Sequence, residues 1–352
     1  MSDRSSRIKV GITQGDINGI SYEVIIKTLL DNRINDFCIP IVYGSPKVTA
    51  YHRKALNINN FSLNNINKVE EANPKRSNII NCVDESIRVE LGKSTPQAGE
   101  ASFAALKTAV QDLKEKKIDV LVTGPFNKYN IQSAEFSFPG HTEYLQSVFE
   151  VSDVLMTMVN EFMRVGVVTG HMPLHNVSEA ITVEKVMSKL RVFNQSLITD
   201  FGIRKPRIAV LGLNPHAGEN GFLGNEEKEQ ITPAIEQARE EGIMAIGPFA
   251  SDGFFGSPGF VKFDGVLAMY HDQGLIPFKA LAREGGVNYT AGLPVVRTSP
   301  AHGTAYEIAG QNQASPDSFR LAMYTAIDIF RRRNEMDELT SNPMKQYDIS
   351  NI

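Results

Sequence analysis

Three of the seven histidines follow short apolar runs that are typical of β-strands. Residues 165–170 lead to His171, residues 208–215 lead to His216, and residues 265–270 lead to His271. The carboxyl ends of parallel strands meet at one edge of a sheet, so we expect these imidazoles to converge. Three nitrogen ligands with one open position are typical of a catalytic divalent site. Zinc is the first choice, with cobalt, nickel, magnesium or manganese as alternatives.

Two aspartates are the nearest carboxylates to this predicted metal site. Asp252 and Asp272 are candidates for additional or supporting ligation. Any one of the three histidines, taken alone, is more often an ordinary loop residue with one hydrogen bond. The repeated placement after a strand is what favours a metal site.

A second group of residues is suited to binding an anion. Residues 138–143 form a predicted loop that enters a helix, where free backbone N–H groups and the Thr142 hydroxyl suit a phosphate. Lys279, Asn288 and Arg297 follow His271 in a stretch rich in Gly and Pro. Arg297 offers a fork of donors for a carboxylate or phosphate. Each residue alone is equally well explained as structural, and their density near His271 favours function.

Small residues flank His302 in the stretch 297–310, which allows close approach by a flat ligand or forms an ordinary tight loop. The sequence has no GxGxxG after its first predicted strand, and no GxxxxGK[ST], HExxH or GxSxG. These absences argue against a standard dinucleotide fold, a P-loop enzyme and an elbow-type hydrolase.

Short apolar runs alternate with helical patterns along the chain, which predicts an α/β fold with a parallel sheet. Strands are predicted at 8–12, 39–43 and 119–122. Helices are predicted at 22–30 and 101–117, the latter with apolar residues at helical spacing and a solvated charged face. Residues 57–81 are rich in Asn and are expected to form a surface excursion with short strands.

Composition narrows the classes of protein. The chain has 352 residues and a formal net charge of −4, so it offers no bulk attraction to nucleic acid or anionic lipid. Cys38 and Cys82 cannot form a disulfide framework, and no stretch approaches the length of a membrane-spanning helix. We therefore expect a cytoplasmic protein without nucleic-acid or membrane partners.

Several long segments resemble the 4-hydroxythreonine-4-phosphate dehydrogenase family of pyridoxal phosphate biosynthesis. They include VGITQGDINGI, TGPFNK, FPGHTEYL, GHMPLH, LGLNPHAGENGFLGNEE, MYHDQGLIPFK and VNYTAGLPVVRTSPAHGTAYEIAG. HGTAYEIAG is also similar to a loop of isocitrate and isopropylmalate dehydrogenases, whose NAD site does not use GxGxxG. The resemblance implies two α/β/α lobes flanking a cleft, with the non-Rossmann NAD site of that group. We expect one lobe at 1–126 plus 288–352 and the other at 127–287.

The resemblance also implies roles for individual residues. His171, His216 and His271 are expected to hold a divalent cation in a site assembled from both chains of a homodimer. The phosphorylated substrate is expected to contact His141, Thr142, Lys279, Asn288 and Arg297. NAD is expected at His302, Gly303, Thr304, Ala305 and Gly310, and Lys279 and Asp252 are the expected catalytic residues. His52 and His175 have no family role and are expected to be structural.

The implied reaction is oxidation of 4-phosphohydroxy-L-threonine by NAD, followed by loss of CO2 to give 3-amino-2-oxopropyl phosphate. The opening loop at 14–23 departs from the family pattern, and Ala301 replaces a common Asp, which leaves cofactor preference open. The alternatives are a dehydrogenase of threonate or erythronate 4-phosphate or of a cyclic diol carboxylate, a non-catalytic metal-dependent binding protein, and a zinc hydrolase.

Overall fold

The computed structural model describes residues 7–84, 86–282 and 285–341. Within these ranges the strands form one twelve-stranded sheet in the order β3-β4-β2-β1-β5-β12-β11-β6-β7-β10-β8-β9. The strands are β1 Ile8–Thr13, β2 Cys38–Gly44, β3 Asn64–Ile66, β4 Asn78–Asn81, β5 Val120–Thr123, β6 Leu155–Val159, β7 Arg164–Thr169, β8 Arg207–Leu211, β9 Met244–Phe249, β10 Gly265–Tyr270, β11 Val287–Ala291 and β12 Val296–Pro300.

Helices connect these strands, so the predicted α/β class is confirmed. They are α1 Ser21–Leu29, α2 Ile34–Phe37, α3 Pro46–Ala55, α4 Pro96–Lys114, α5 His141–Val148, α6 Val177–Ala180, α7 Val183–Thr199, α8 Thr232–Glu240, α9 Ser251–Phe255, α10 His271–Ala282 and α11 Asp317–Thr340. None of the helices in the described ranges has the length and apolar character needed to span a bilayer.

Local contacts explain where helix α4 and strand β5 begin. Helix α4 begins at Pro96, five residues before the predicted start, because the Thr95 side chain accepts a hydrogen bond from the Ala98 N–H and proline is tolerated in the first turn. Strand β5 begins at Val120 rather than at Asp119, whose carboxylate accepts a hydrogen bond from the Lys9 N–H at 2.7 Å. The expected short strands within 57–81 are β3 and β4.

Three neighbouring strands create the edge on which the site is built. β10 pairs in parallel with β7 on one side and with β8 on the other. Because this pairing is parallel, the carboxyl ends of the three strands lie at one edge of the sheet. Strand β11 pairs antiparallel with both β12 and β6. This pairing joins the half of the sheet that contains β7, β10 and β8 to the half that contains β1. The division into lobes at 127 and 288 stays a prediction.

Candidate active site

A cleft of about 220 Å³ opens at the carboxyl end of the sheet, between β5 and β12 on one side and β7 and β10 on the other. Nine of the predicted site residues line it: His141, Thr142, His171, His271, Lys279, Asn288, Arg297, His302 and Gly303. They come from segments far apart in sequence, so the fold itself assembles the cleft.

Arg297 is a buried cation that has no carboxylate partner among the described residues. Only 3% of its surface is exposed. Its guanidinium donates to the Thr123 hydroxyl at 2.6 and 3.1 Å and to the Thr290 hydroxyl at 3.4 Å. Burial lowers the pKa of Arg297 to about 10, and Glu143 only partly opposes that shift. A desolvated charge of this kind is costly unless an anion pairs with it, so the cleft is built to receive one.

His141 begins helix α5 and lies against Arg297. Burial, Arg297 and Lys128 hold its pKa well below the usual value, so the ring is neutral. Its Nδ1 is 3.4 Å from an Arg297 nitrogen that can only donate. Nδ1 is therefore the acceptor and Nε2 carries the hydrogen, and Nε2 is buried with no partner. Stacking on Phe126, with ring centroids 3.7 Å apart, fixes the ring in place.

Four buried polar atoms without hydrogen-bond partners lie in the cleft wall. They are His141 Nε2, Glu143 Oε2, Asn288 Oδ1 and His302 Nε2. Native proteins leave few buried polar groups unpaired. Four such atoms around one cavity indicate a polar ligand with both donors and acceptors.

His302 presents an acceptor to the same cavity. Its Nδ1 lies 3.1 Å from the Gly303 carbonyl oxygen, which can only accept, so Nδ1 carries the hydrogen and Nε2 is bare. Burial lowers the pKa of His302, and Lys279 lowers it further, which outweighs the opposing effect of that carbonyl.

His171 and His271 come together as predicted, with ring centroids 5.7 Å apart. Two further charged side chains join them. Lys128 Nζ lies 2.7 Å from His171 Nε2, and Glu143 Oε1 lies 3.8 Å from His171 Nδ1. His271 Nδ1 contacts the Asp272 carboxylate at 2.7 Å, which orients the ring and leaves its Nε2 available.

His216 lies apart from this pair. It is exposed in the turn after β8, where residues 216–220 all have positive φ. This left-handed turn contains four non-glycine residues, a strained arrangement that surrounding contacts must hold. The buried Glu227 carboxylate holds it by accepting hydrogen bonds from the Asn214 backbone N–H at 2.7 Å and its side-chain amide at 3.0 Å.

Within the described ranges of a single chain, no three His, Cys, Asp or Glu side chains are grouped closely enough to hold a metal ion. Asp252 is also exposed, on α9, which packs beside the turn that carries His216. It does not line the cleft. A single chain therefore brings together two of the three predicted histidine ligands, His171 and His271. Their imidazole nitrogens are suitable ligands for a divalent cation.

The predicted NAD loop lies next to the cleft and packs on the opening loop. The Ile20 N–H donates to the Thr304 carbonyl at 3.0 Å, and the Tyr306 hydroxyl donates to Asp16 at 2.7 Å. Gly19 is required there, because a Cβ would lie 2.6 Å from the Thr304 oxygen. Gly303 faces open space, which leaves room for a ligand. The altered opening loop thus shapes the NAD loop, whereas Thr304, Ala305 and Gly310 do not line the cleft.

Sequence reasoning assigned no role to Lys128 or Glu143. Lys128 ends the TGPFNK segment, and Glu143 follows the predicted anion-binding pair at 141–142. Their positions in the sequence could have indicated a role, since each lies within or next to a segment that contributes residues to the cleft. His52 is buried, with Nε2 2.7 Å from the Ile17 carbonyl, and supports the opening loop from α3.

The model of the family described as pyridoxal phosphate biosynthetic protein PdxA matches residues 36–326, which is most of the chain. The chain belongs to the PdxA family. The predicted family is therefore confirmed, and the chain is an oxidoreductase of the PdxA family.

Individual relatives agree with this assignment. A 4-hydroxythreonine-4-phosphate dehydrogenase of Bacteroides thetaiotaomicron is 54% identical over 97% of this chain and 94% of its own length. A D-threonate 4-phosphate dehydrogenase of Cupriavidus necator is 39% identical over 92% of this chain and 98% of its own. The crystal structure of a 4-hydroxythreonine-4-phosphate dehydrogenase from Klebsiella pneumoniae is 33% identical, with a TM-score of 0.78 over 92% of this chain and all of its own.

Proposed function

We propose that this PdxA-family chain oxidises 4-phosphohydroxy-L-threonine with NAD to 2-amino-3-oxo-4-phosphooxybutanoate. That β-keto acid loses CO2 to give 3-amino-2-oxopropyl phosphate, a step toward pyridoxal 5′-phosphate. The observation that carries the proposal is the buried guanidinium of Arg297, which has no carboxylate partner in the described part of the chain and lies next to a His141 donor without a hydrogen-bond partner. Together they form a site for a phosphate monoester.

The phosphate is bound by groups that the fold fixes in place. Arg297 supplies the charge and His141 Nε2–H supplies a neutral hydrogen bond. The Thr142 side chain and the first backbone N–H groups of α5 add further donors at the positive end of a helix dipole. Since all of these lie on one wall, they hold one end of the substrate and leave the other end facing His171 and His271.

A divalent cation, with zinc as the first choice, is proposed at His171 and His271, with His216 as the third ligand. A cation held by these residues would supply Lewis acidity at the substrate hydroxyl, and NAD would supply the hydride acceptor. Lys279, exposed at the mouth of the cleft, pairs with the substrate carboxylate. The bare Nε2 of His302 accepts a hydrogen bond from substrate or cofactor.

A second copy of the chain is proposed to complete the metal site. Three large apolar side chains are exposed near the histidine edge: Leu174, Phe222 and Ile276, with 71%, 84% and 66% of their surfaces accessible. Apolar groups of this size are typical of a subunit interface. A homodimer that covers them brings a second set of metal-binding residues, including His216 and Asp252, toward the cleft. Cytoplasmic location stays a prediction.

The decisive assay follows NADH formation at 340 nm by the purified protein with 4-phosphohydroxy-L-threonine and, separately, with D-threonate 4-phosphate. We expect turnover of the amino compound, abolished by a chelator and restored by zinc or another divalent cation. Preference for threonate phosphate would assign the chain to the activity named for the Cupriavidus relative. Full activity of His271→Ala in chelated buffer would contradict the metal site.

A further inference from the structure

Asn18, in the altered opening loop, is fully buried, yet it bonds to a stretch of chain on the surface. That stretch is the 90–95 segment, which is irregular and mostly exposed and lies between β4 and α4. Four hydrogen bonds join the two. They run from the Glu90 N–H to Asn18 Oδ1 at 2.7 Å, from Asn18 Nδ2 to the Lys93 carbonyl at 2.9 Å and to the Thr95 hydroxyl at 3.0 Å, and from the Gly92 N–H to the Asn18 carbonyl at 2.9 Å. Both ends of the Asn18 amide therefore serve to hold this segment.

The 90–95 segment packs directly against the predicted NAD loop. A Cβ on Gly92 would lie 3.2 Å from the Tyr306 carbonyl oxygen, and a Cβ on Gly310 would lie 2.5 Å from Leu91 Cδ1. The two stretches approach so closely that each has a glycine at the contact. A shift of the segment would therefore change the position of the loop.

The opening loop also holds the NAD loop directly, through Asp16. The fully buried Asp16 carboxylate accepts hydrogen bonds from the Tyr306 hydroxyl at 2.7 Å and from the Asn130 amide at 2.8 Å. It also accepts one from the Asn18 backbone N–H at 2.9 Å, which fixes Asn18 beside it. Asp16 thus bonds to the NAD loop, while Asn18 bonds to the segment that packs against that loop.

The NAD loop depends on such contacts because its backbone does not favour the shape that it has. Ala305 has a φ of 41°, in the left-handed region that is strained for a residue with a Cβ. Residues 306–308 form only a single turn of 3₁₀-helix. A Cβ on Gly303 would meet open space, so this part of the loop has room for a ligand and gains no packing there. Contacts from behind must therefore keep the loop in shape before a dinucleotide arrives.

We propose that Asn18 is a positioning residue for the dinucleotide, because it holds the 90–95 segment against the NAD loop and so keeps the loop ready to bind. This inference rests on the proposed function, since it concerns the cofactor of that reaction. The apparent Kd of a ligand rises as the fraction of protein in the binding-competent conformation falls. A loop that is preformed in only about a tenth of the molecules would bind the dinucleotide about tenfold more weakly.

The test compares the wild type with Asn18→Ala, which removes the three side-chain bonds to the 90–95 segment. Binding of NADH is measured by its fluorescence, and binding of inorganic phosphate by calorimetry, both on the metal-loaded protein. We expect the Kd for NADH to rise about tenfold and the Kd for phosphate to stay unchanged, since the proposed phosphate site is built on α5 and β12. Hydrogen exchange should become faster at 303–310. In turnover, the loss should appear in the KM for NAD and not in kcat.

Asn78→Ala is the matched control. Asn78 is equally buried, and its amide also makes three hydrogen bonds, but these lie within and around β4. They go to the backbone carbonyls of Pro40 at 3.2 Å, Asn73 at 3.1 Å and Arg76 at 2.8 Å. This variant should lose stability as Asn18→Ala does and should keep the wild-type Kd for NADH.

Leu91→Ala is a second variant that leaves Asn18 in place and removes the side chain that packs against Gly310. It should weaken NADH binding in the same direction, so it tests the inference even where Asn18→Ala does not fold. The inference would be overturned if NADH bound to these variants as it does to the wild type, or if Asn78→Ala weakened NADH equally. An equal loss of phosphate binding in Asn18→Ala would overturn it too.

Turnover separates this inference from the proposed function. Tight binding of NADH by the wild type, without oxidation of 4-phosphohydroxy-L-threonine, would count against the proposed function alone. Failure of the wild type to bind NADH would count against both.

Discussion

Replacing Arg297 by Met should stabilise the ligand-free protein while abolishing phosphate binding. Burial lowers the pKa of Arg297 to about 10, well below the ordinary value for arginine. At 1.36 kcal/mol per pKa unit, keeping this charge in the cleft costs about 3 kcal/mol. The lost hydrogen bonds to Thr123 and Thr290 offset about 1–2 kcal/mol of the gain. The expected net stabilisation is about 1–2 kcal/mol, or a rise in Tm of a few degrees.

Arg333→Met is the matched control, since Arg333 is also largely buried but pairs with Asp200 at 2.7 Å and with the Tyr289 hydroxyl at 2.8 Å. Its neighbours raise its pKa despite burial. Breaking that buried ion pair should cost about 3–5 kcal/mol. Two buried arginines are thus expected to respond in opposite directions.

Both variants are compared with the wild type by thermal unfolding, with and without inorganic phosphate. At a phosphate concentration of 100 times Kd the wild type should gain about 2.7 kcal/mol, and Arg297→Met should gain nothing. Arg333→Met should respond to phosphate as the wild type does. The reasoning would be refuted if Arg297→Met unfolded at a lower temperature than the wild type, or if phosphate protected it equally.

Three further predictions concern the parts of the chain that support the cleft. Burial lowers the pKa of His52 to about 4, so the contribution of the neutral ring to the free energy of unfolding is intact above pH 6.5 and is lost as the pH falls. Measured by urea unfolding, the free energy of unfolding of the wild type should fall by about 2–3 kcal/mol more than that of His52→Gln between pH 6.5 and 4.5. Glu227→Ala removes the acceptor of the Asn214 backbone N–H and one of the two acceptors of its side-chain amide, whose bond to Glu226 at 2.7 Å remains. The substitution should cost about 1–3 kcal/mol and speed hydrogen exchange at 214–221; unchanged exchange would contradict the role of Glu227. Tyr22→Phe removes the hydroxyl that donates to Gln14 at 2.7 Å and should cost about 1–3 kcal/mol, whereas a neutral result in chemical denaturation would show that the opening loop does not depend on it.

Several strands and part of the cleft were predictable because those strands appear in the sequence as short apolar runs and some of the functional side chains directly follow them. His171 and His271 obey that rule directly. The start of α4 was not predictable from periodicity, because its first turn is defined by the Thr95 cap and carries little apolar pattern.

The position of His216 shows where the strand-end rule fails. Its strand, β8, pairs with β10 as expected, but consecutive left-handed residues redirect the chain after Asn214. Alanine and glutamate have no intrinsic preference for that conformation, so tertiary contacts, including the hydrogen bonds of Glu226 and Glu227 to Asn214, must hold it. Glu143 and Lys128 were missed for a related reason: their importance comes from neighbours distant in sequence.

The unbroken sheet has a mechanical consequence. Five residues of β11 are in register with β6 where the two halves join, so a rigid rotation of one half against the other would shear that ladder. We therefore expect the two halves of the sheet to resist rotation relative to each other. Movements that admit and release small molecules should be confined to the loops that follow the strands. Hydrogen exchange would show this as slow amides throughout β11 and β6 beside fast ones in the loops.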